Sequence, residues 1–225
     1  MPGRRDSFSN NGTYHIFNRT IDGEKIFSHP SLSVLFLDTL CYYRSSLIDR
    51  SFSHFKLLDK SIQEKQKTKL SIQKFFIIDI LGYCLMPTHF HFLVRQRIDD
   101  GARVFMSNVM NSFTRHYNVK NHRKGPLFLP RFQSREILTD ELIMHVSRYQ
   151  HLNPFSGGLV DTLEELTEYP WSSYASYVNG TVSPVVNCKP VLQLFGNDGR
   201  QYKQFIEDQA DYQQSLEELK YLNRW

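Results

Sequence analysis

An α+β fold, an antiparallel sheet covered by helices, is predicted by three features of the 225-residue chain. Short runs with strand-like character occur at 13–19, 75–83 and 86–95, and the last two are separated only by a short break, as in a hairpin. Runs with helical spacing fall between them and after them. Hydrophobic residues make up 40% of the chain and aromatics 14%, enough to build a core around such a sheet.

The elements follow in order. TYHIFNR at 13–19 alternates and carries β-branched and aromatic residues after the turn-forming Asn10-Asn11-Gly12, so it reads as the first strand. Pro30 opens a helix whose Leu32, Leu35, Phe36, Thr39, Leu40 and Tyr43 recur at helical spacing. Residues 50–72 are charged and poorer in apolar residues, an exposed helical insertion. FFIIDILGY (75–83) and 86–95 form neighbouring antiparallel strands, and after Asp99-Asp100-Gly101 a helix runs to about Asn118 with Val104, Phe105, Val109 and Phe113 toward the core. Gly125, Pro126 and Pro130 make the next stretch a loop with room for a short strand at one end. Thr139 caps a last core helix that reaches about Leu152 and is stopped by Pro154. The order β, α, β, β, α, a short β and α suits a ferredoxin-like α+β arrangement with the helices on one face. Residues 1–160 are read as this core and 161–225 as a C-terminal extension packed on it, ending in the charged helical YKQFIEDQADYQQSLEELKYL.

Several function classes are excluded or disfavoured. Cys41, Cys84 and Cys188 stand far apart without a CxxC pair, which indicates neither a disulfide framework nor a thiolate zinc cage and fits a reducing compartment. No run of about 18 apolar residues exists, and the basic N-terminus is not followed by an apolar stretch. A soluble cytoplasmic protein with no membrane partner is expected. No GxxxxGK phosphate loop is present.

Within LGYCLMPTHFHFLVRQ, His89 and His91 lie two apart on a strand, so both imidazoles share one face while Thr88, Phe90 and Phe92 take the other. Roughly 6 to 7 Å apart along the strand, two neutral imidazoles can reach one cation, which then needs a further protein ligand. An HxH pair alone does not make a metal site, and companions are needed.

The first companion is charge. Between Gly101 and Arg135 there is no Asp or Glu, whereas Arg103, Arg115, Lys120, Arg123, Lys124, Arg131 and Arg135 are all present. The chain as a whole carries only +4. Aromatics Phe113, Tyr117, Phe128 and Phe132 are interleaved, and bases stack on aromatic rings while cations contact phosphates, so the segment reads as a single-strand nucleic-acid surface. The second companion is HVSRYQHLNP, where His145, Tyr149 and Asn153 share a helix face.

These blocks resemble the REP-associated tyrosine transposases, relatives of the single-strand insertion-sequence transposases in the HUH nuclease group. The matching stretches are YHIFNR (14–19), MPTHFHFLV (86–94), GPLFLPRFQS (125–134), RYQHLNPFSGGLV (148–160) and WSSY (171–174), in family order. The resemblance implies a ferredoxin-like catalytic core, a divalent metal (Mg²⁺ or Mn²⁺) and one tyrosine nucleophile, acting on hairpin-bearing single-stranded DNA through a 5′-phosphotyrosine. Carried over by position, the metal-binding histidines are His89 and His91, the nucleophile is Tyr149, and Asn153 takes the third-ligand place where the insertion-sequence relatives have Gln. Tyr117 is the competing tyrosine, assigned to the DNA surface with Arg115, Lys120, Arg123, Lys124, Arg131 and Arg135. His15 and His145 are placed either near the site or as structural histidines. Relatives include dimers and monomers, so a homodimer is one open expectation. A domesticated, non-catalytic DNA- or RNA-binding protein of the same fold is the alternative.

Overall fold

The structure, a computed structural model, describes residues 8–214. The C-terminal stretch expected to be helical lies partly outside the described residues, from 215 onward. Four strands, β1 (Thr13–Arg19), β2 (Ile78–Met86), β3 (His89–Gln96) and β4 (Gln133–Ile137), form one sheet of order β2-β3-β1-β4. All neighbouring pairs are antiparallel, which gives the expected α+β class with β1 and β3 central.

Alternation along the strands sorts the sheet into two faces. Tyr14 and Ile16 of β1 and Phe90, Phe92 and Val94 of β3 face α1 (Pro30–Tyr43) and, once past the short α2 (Phe52–Lys56) and α3 (Lys60–Leu70), α4 (Gly101–Lys120). Phe36, Phe105, Val109 and Phe113 of these helices are fully buried in that core. Phe36 meets Phe90, Phe92 and Phe113 at ring separations of 5.3, 6.2 and 5.0 Å. Edge-on and offset aromatic contacts of this kind add to the area term. Deleting one such buried ring costs about 3–5 kcal/mol.

The opposite face is covered too. Leu81 and Leu93 pack with Ile143, Leu152 and Phe155 of α5 (Asp140–Ser156) and with Tyr174, Tyr177, Val191, Tyr202 and Ile206 of the extension. One-sided helix placement therefore holds for α1 and α4, whereas α5 lies on the other side. The extension supplies α6 (Tyr174–Val178), α7 (Lys189–Leu192) and α8 (Gly199–Glu207). It also pairs with the outer edge of β2: Leu85 N–H donates to Trp171 O, Ser173 N–H to Tyr83 O and Asn187 N–H to Ile80 O, at 2.8, 2.9 and 2.8 Å. An otherwise open strand edge is thereby closed.

Two boundaries differ from expectation. The break between β2 and β3 lies at Pro87-Thr88, not after Tyr83, because Cys84 to Met86 continue β2 and pair with His91 to His89. Proline lacks the N–H a ladder needs, so the turn forms there. A bulge at Ile80/Gly82 shifts the register within β2. Helix α5 runs through Pro154 to Ser156. A proline in the last turn forfeits only one intrahelical bond, and Leu152, Asn153, Pro154 and Phe155 are buried, which offsets that loss. Thr139 caps α5 as expected, accepting from Leu142 N–H at 3.3 Å. All three cysteines are free. Among the described residues no helix is long and apolar enough to cross a membrane.

Candidate active site and nucleic-acid surface

The two central strands bring three histidines together beneath α5. In the β1–β3 ladder Phe17 lies opposite His91, Arg19 opposite His89 and Leu93 opposite His15, so His15, Phe17 and Arg19 occupy the same face as His89 and His91. The His89 and His91 rings are 5.2 Å apart and nearly perpendicular. His89 Nδ1 shares a hydrogen bond of 3.1 Å with Thr88 Oγ1, and His91 Nδ1 lies 3.0 Å from His15 Nε2. Coordination by this pair would therefore fall to the two Nε2 atoms.

Tyr149 descends from α5 onto the same spot. Its ring stands edge-on to His91 at 5.5 Å and 87°, and to His15 at 6.2 Å and 75°. It is half-buried, while His91 is 5% exposed. His15 is 8% exposed, and burial, with a smaller push from the Arg135 guanidinium, lowers its pKa to about 4. His15 is therefore neutral at neutral pH. Arg135 is paired across β1–β4 with His15 and is exposed, as is Arg19, so two guanidinium groups flank the histidine face.

Asn153 is buried one turn after Tyr149, and its Nδ2 donates to Tyr149 O at 2.9 Å. Its Oδ1 is the amide atom left to act as a ligand. Among the described residues no group of three or more His, Cys, Asp or Glu is placed to hold a metal ion. Two imidazoles joined by an amide oxygen would suit a hydrated Mg²⁺ or Mn²⁺ that keeps several waters, and would not suit a closed zinc site. His145 turns away, with its Nδ1 2.7 Å from Arg148 Nη2 and its ring 6.3 Å from Phe205 of the extension. His151 is fully buried between Tyr202 Oη at 2.6 Å and Ser173 Oγ at 2.7 Å, where burial lowers its pKa to about 3. It ties α5 to the extension and does not reach the histidine face.

The basic segment is divided between the two sides of the sheet. Arg135 belongs to the histidine face through β4. Arg115, Lys120 and Lys124 are exposed beside α4, on the side away from the histidines. There they line a groove of about 1110 Å³ shared with Lys56 of α2, His116 and Arg123. Burial first, then Lys120 and Lys56, hold His116 below the usual imidazole value, consistent with a positive field in the groove. Arg123 also fixes its own loop, donating to Asn118 Oδ1 and Pro126 O at 3.1 and 2.9 Å. Arg131 is exposed in the loop before β4.

Tyr117 does not lie on that surface. It is 8% exposed, packs in the core shared with Phe113, and donates from its hydroxyl to Glu24. Burial and then Glu24 push its pKa up to about 12. A ring so enclosed is placed for packing and not for stacking on a base. Lys56 had no signal in the sequence beyond belonging to a charged insertion; its place in the groove follows from how α2 folds against α4.

No protein-family model matches the chain, and no curated protein matches it in sequence. Among solved structures it is similar to the REP-associated tyrosine transposase bound to a REP hairpin, with a TM-score of 0.54 and 15% identity over 83% of this chain and 92% of that one. At that identity the likeness concerns the fold.

Proposed function

We propose that this protein is a metal-dependent single-stranded DNA transposase or endonuclease that cleaves and rejoins strands through a 5′-phosphotyrosine, with Tyr149 as nucleophile. The observation that carries the reading is the convergence of His89, His91 and Tyr149, from β3 and α5, on one face of the sheet. Similarity of fold to a transposase bound to a REP hairpin supports it.

A phenol with pKa near 10 is a weak nucleophile at neutral pH, so the scissile phosphate has to be made electrophilic and held in line. A Mg²⁺ or Mn²⁺ held by His89, His91 and the Asn153 oxygen would polarise a phosphoryl oxygen. Tyr149 Oη forms the new bond to phosphorus as the bond to the 3′ oxygen breaks, and the phenol proton ends on the released 3′-hydroxyl. One phosphodiester replaces another, so no nucleotide hydrolysis is required and the reverse step joins strands. Arg19 and Arg135 border the face and would hold phosphates on either side of the scissile bond, while the groove beside α4 would bind further DNA backbone. Such a protein would act in the cytoplasm on hairpin-forming repeats.

The alternative is a non-catalytic DNA-binding protein of the same fold, favoured by the sparse donor set around His89 and His91. Incubation with hairpin-bearing single-stranded DNA and Mn²⁺, followed by denaturing electrophoresis for a covalent protein–DNA adduct, separates the two. An adduct supports catalysis; tight binding with no adduct across many hairpins supports the alternative.

A further inference from the structure

We propose that His15 is a positioning residue of this site, accepting a hydrogen bond from His91 Nδ1–H and so fixing His91 in the tautomer and orientation that leave Nε2 to coordinate the cation. The assignment rests on the metal-dependent reading above for its purpose, but its geometry stands apart from it.

Two imidazole nitrogens 3.0 Å apart share one proton, so one ring donates and the other accepts. For His91 to offer a lone pair at Nε2, its Nδ1 must carry the proton, and His15 Nε2 must then be the acceptor with its own proton on Nδ1. Histidine ligands generally donate their second N–H to an outer partner, which sets the tautomer and the ring angle. That partner is commonly a carboxylate or a carbonyl; here it is a neutral ring from the adjacent strand. His15 is well suited to the task because β1 is a central strand, hydrogen-bonded to both β3 and β4, so its backbone is held on both sides. Its ring plane lies within 19° of that of His91, with centroids 5.2 Å apart, as an in-plane hydrogen bond between the two rings requires. Phe17 limits rotation of both rings, at 5.0 Å from His15 and 5.8 Å from His91. While its Nε2 is engaged with His91, His15 cannot use that atom as a ligand, which separates its role from that of His89.

The test uses the full chain with ¹⁵N-labelled histidine, and His15→Phe and His15→Gln variants. Two-bond ¹⁵N–¹H spectra without metal, with His91 assigned through His91→Gln, are expected to place the wild-type His91 proton on Nδ1. His15→Phe should lose that signature and weaken Mn²⁺ binding, read by electron paramagnetic resonance with the ion alone, by about 10–100-fold. His15→Gln, whose amide oxygen can accept from His91, should keep the tautomer and most of the affinity. Circular dichroism melts show whether each variant folds, and the glutamine variant serves as the readout if the phenylalanine variant does not. A wild-type His91 proton on Nε2, or a tautomer and Mn²⁺ affinity unchanged in a folded His15→Phe, overturns the assignment, as does a folded His15→Gln that behaves like a complete loss. A wild type that shows the Nδ1–H tautomer yet binds no Mn²⁺ overturns the metal-dependent reading while upholding the role of His15.

Discussion

Tyr149 stands perpendicular to His91, ring centroids 5.5 Å apart at 87°, although the two residues come from a helix and a strand far apart in sequence. The contact places the hydroxyl-bearing ring edge-on to His91 and His15, while Tyr117 is buried on the other side of the sheet with its hydroxyl bound to Glu24. Tyr149→Phe is therefore expected to abolish the covalent DNA adduct while DNA affinity changes less than about threefold, equivalent to about 0.7 kcal/mol. Tyr117→Phe should retain the adduct and instead lose stability, by about 1–3 kcal/mol, because the Glu24 carboxylate loses its hydrogen-bond donor. Adduct gels and urea melts on the two variants check both halves; an adduct that survives in Tyr149→Phe and disappears in Tyr117→Phe would reverse the assignment.

Phosphate contacts in the groove beside α4 should appear in the salt dependence of binding. Lys120 and Lys124 are exposed there, and neither appears in a salt bridge among the described residues. Each cation that neutralises a phosphate of a single strand contributes about −0.7 to the slope of log K against log salt. Lys120→Ala/Lys124→Ala should thus flatten the slope by about 1.4 and weaken binding to unrelated sequences alike, measured by fluorescence anisotropy between low and moderate salt. An unchanged slope would remove the groove from the DNA path.

Much of this arrangement was legible in the sequence because it depends on local pattern. Alternation at 89–96 fixes which histidines share a face, and the order of elements fixes the sheet. What was not legible depends on register and on layer. That Arg135 falls beside His15, while Arg115 and Lys120 lie across the sheet from it, follows from the β1–β4 pairing and from α4 packing on the other face. A continuous basic stretch of sequence carries no sign of that division. The contact of His15 with His91 depends likewise on the β1–β3 register, so β1 alone left His15 as either a site residue or a structural one. Pro154 misled because a proline late in a helix removes a single bond, and burial of that turn could not be read from residue type.

His151 gives a pH signature to stability. Its pKa is held near 3 by burial against an unfolded value of 6.5, so the unfolded chain binds the proton first as pH falls. The contribution of its neutral form is complete above pH 6.5 and is lost progressively from there toward pH 3. Within that window one proton steepens the loss by about 1.4 kcal/mol per pH unit. Protonation would also supply a second N–H in a site where Tyr202 Oη and Ser173 Oγ occupy both ring nitrogens, with the Tyr177 ring 4.9 Å away. Urea unfolding at pH 7 and pH 5 should therefore show a larger fall in wild type than in His151→Gln, which cannot titrate. Equal falls would mean that His151 is not the group responsible.

Gly82 of β2 and Gln150 of α5 meet on the sheet side of the helix that carries Tyr149. A Cβ at Gly82 would lie 2.5 Å from Gln150 Nε2 and 3.6 Å from Ser173 Oγ, so the missing side chain is what admits the glutamine. Gln150 is fully buried, and neither of its amide atoms has a hydrogen-bond partner among the described residues. A buried amide in that condition carries a desolvation cost of about 1–3 kcal/mol. Gln150→Met, similar in shape but apolar, should therefore stabilise the protein by about 1 kcal/mol. Gly82→Ala should destabilise it by about 1 kcal/mol, since the end of the glutamine side chain has to swing aside in a filled core. In Gly82→Ala/Gln150→Ala the clash is removed, and the cost of the alanine at 82 should largely disappear. A coupling energy above about 0.5 kcal/mol in the double-mutant cycle would establish the contact; simple additivity would show that residue 82 tolerates a methyl without displacing the helix that carries Tyr149.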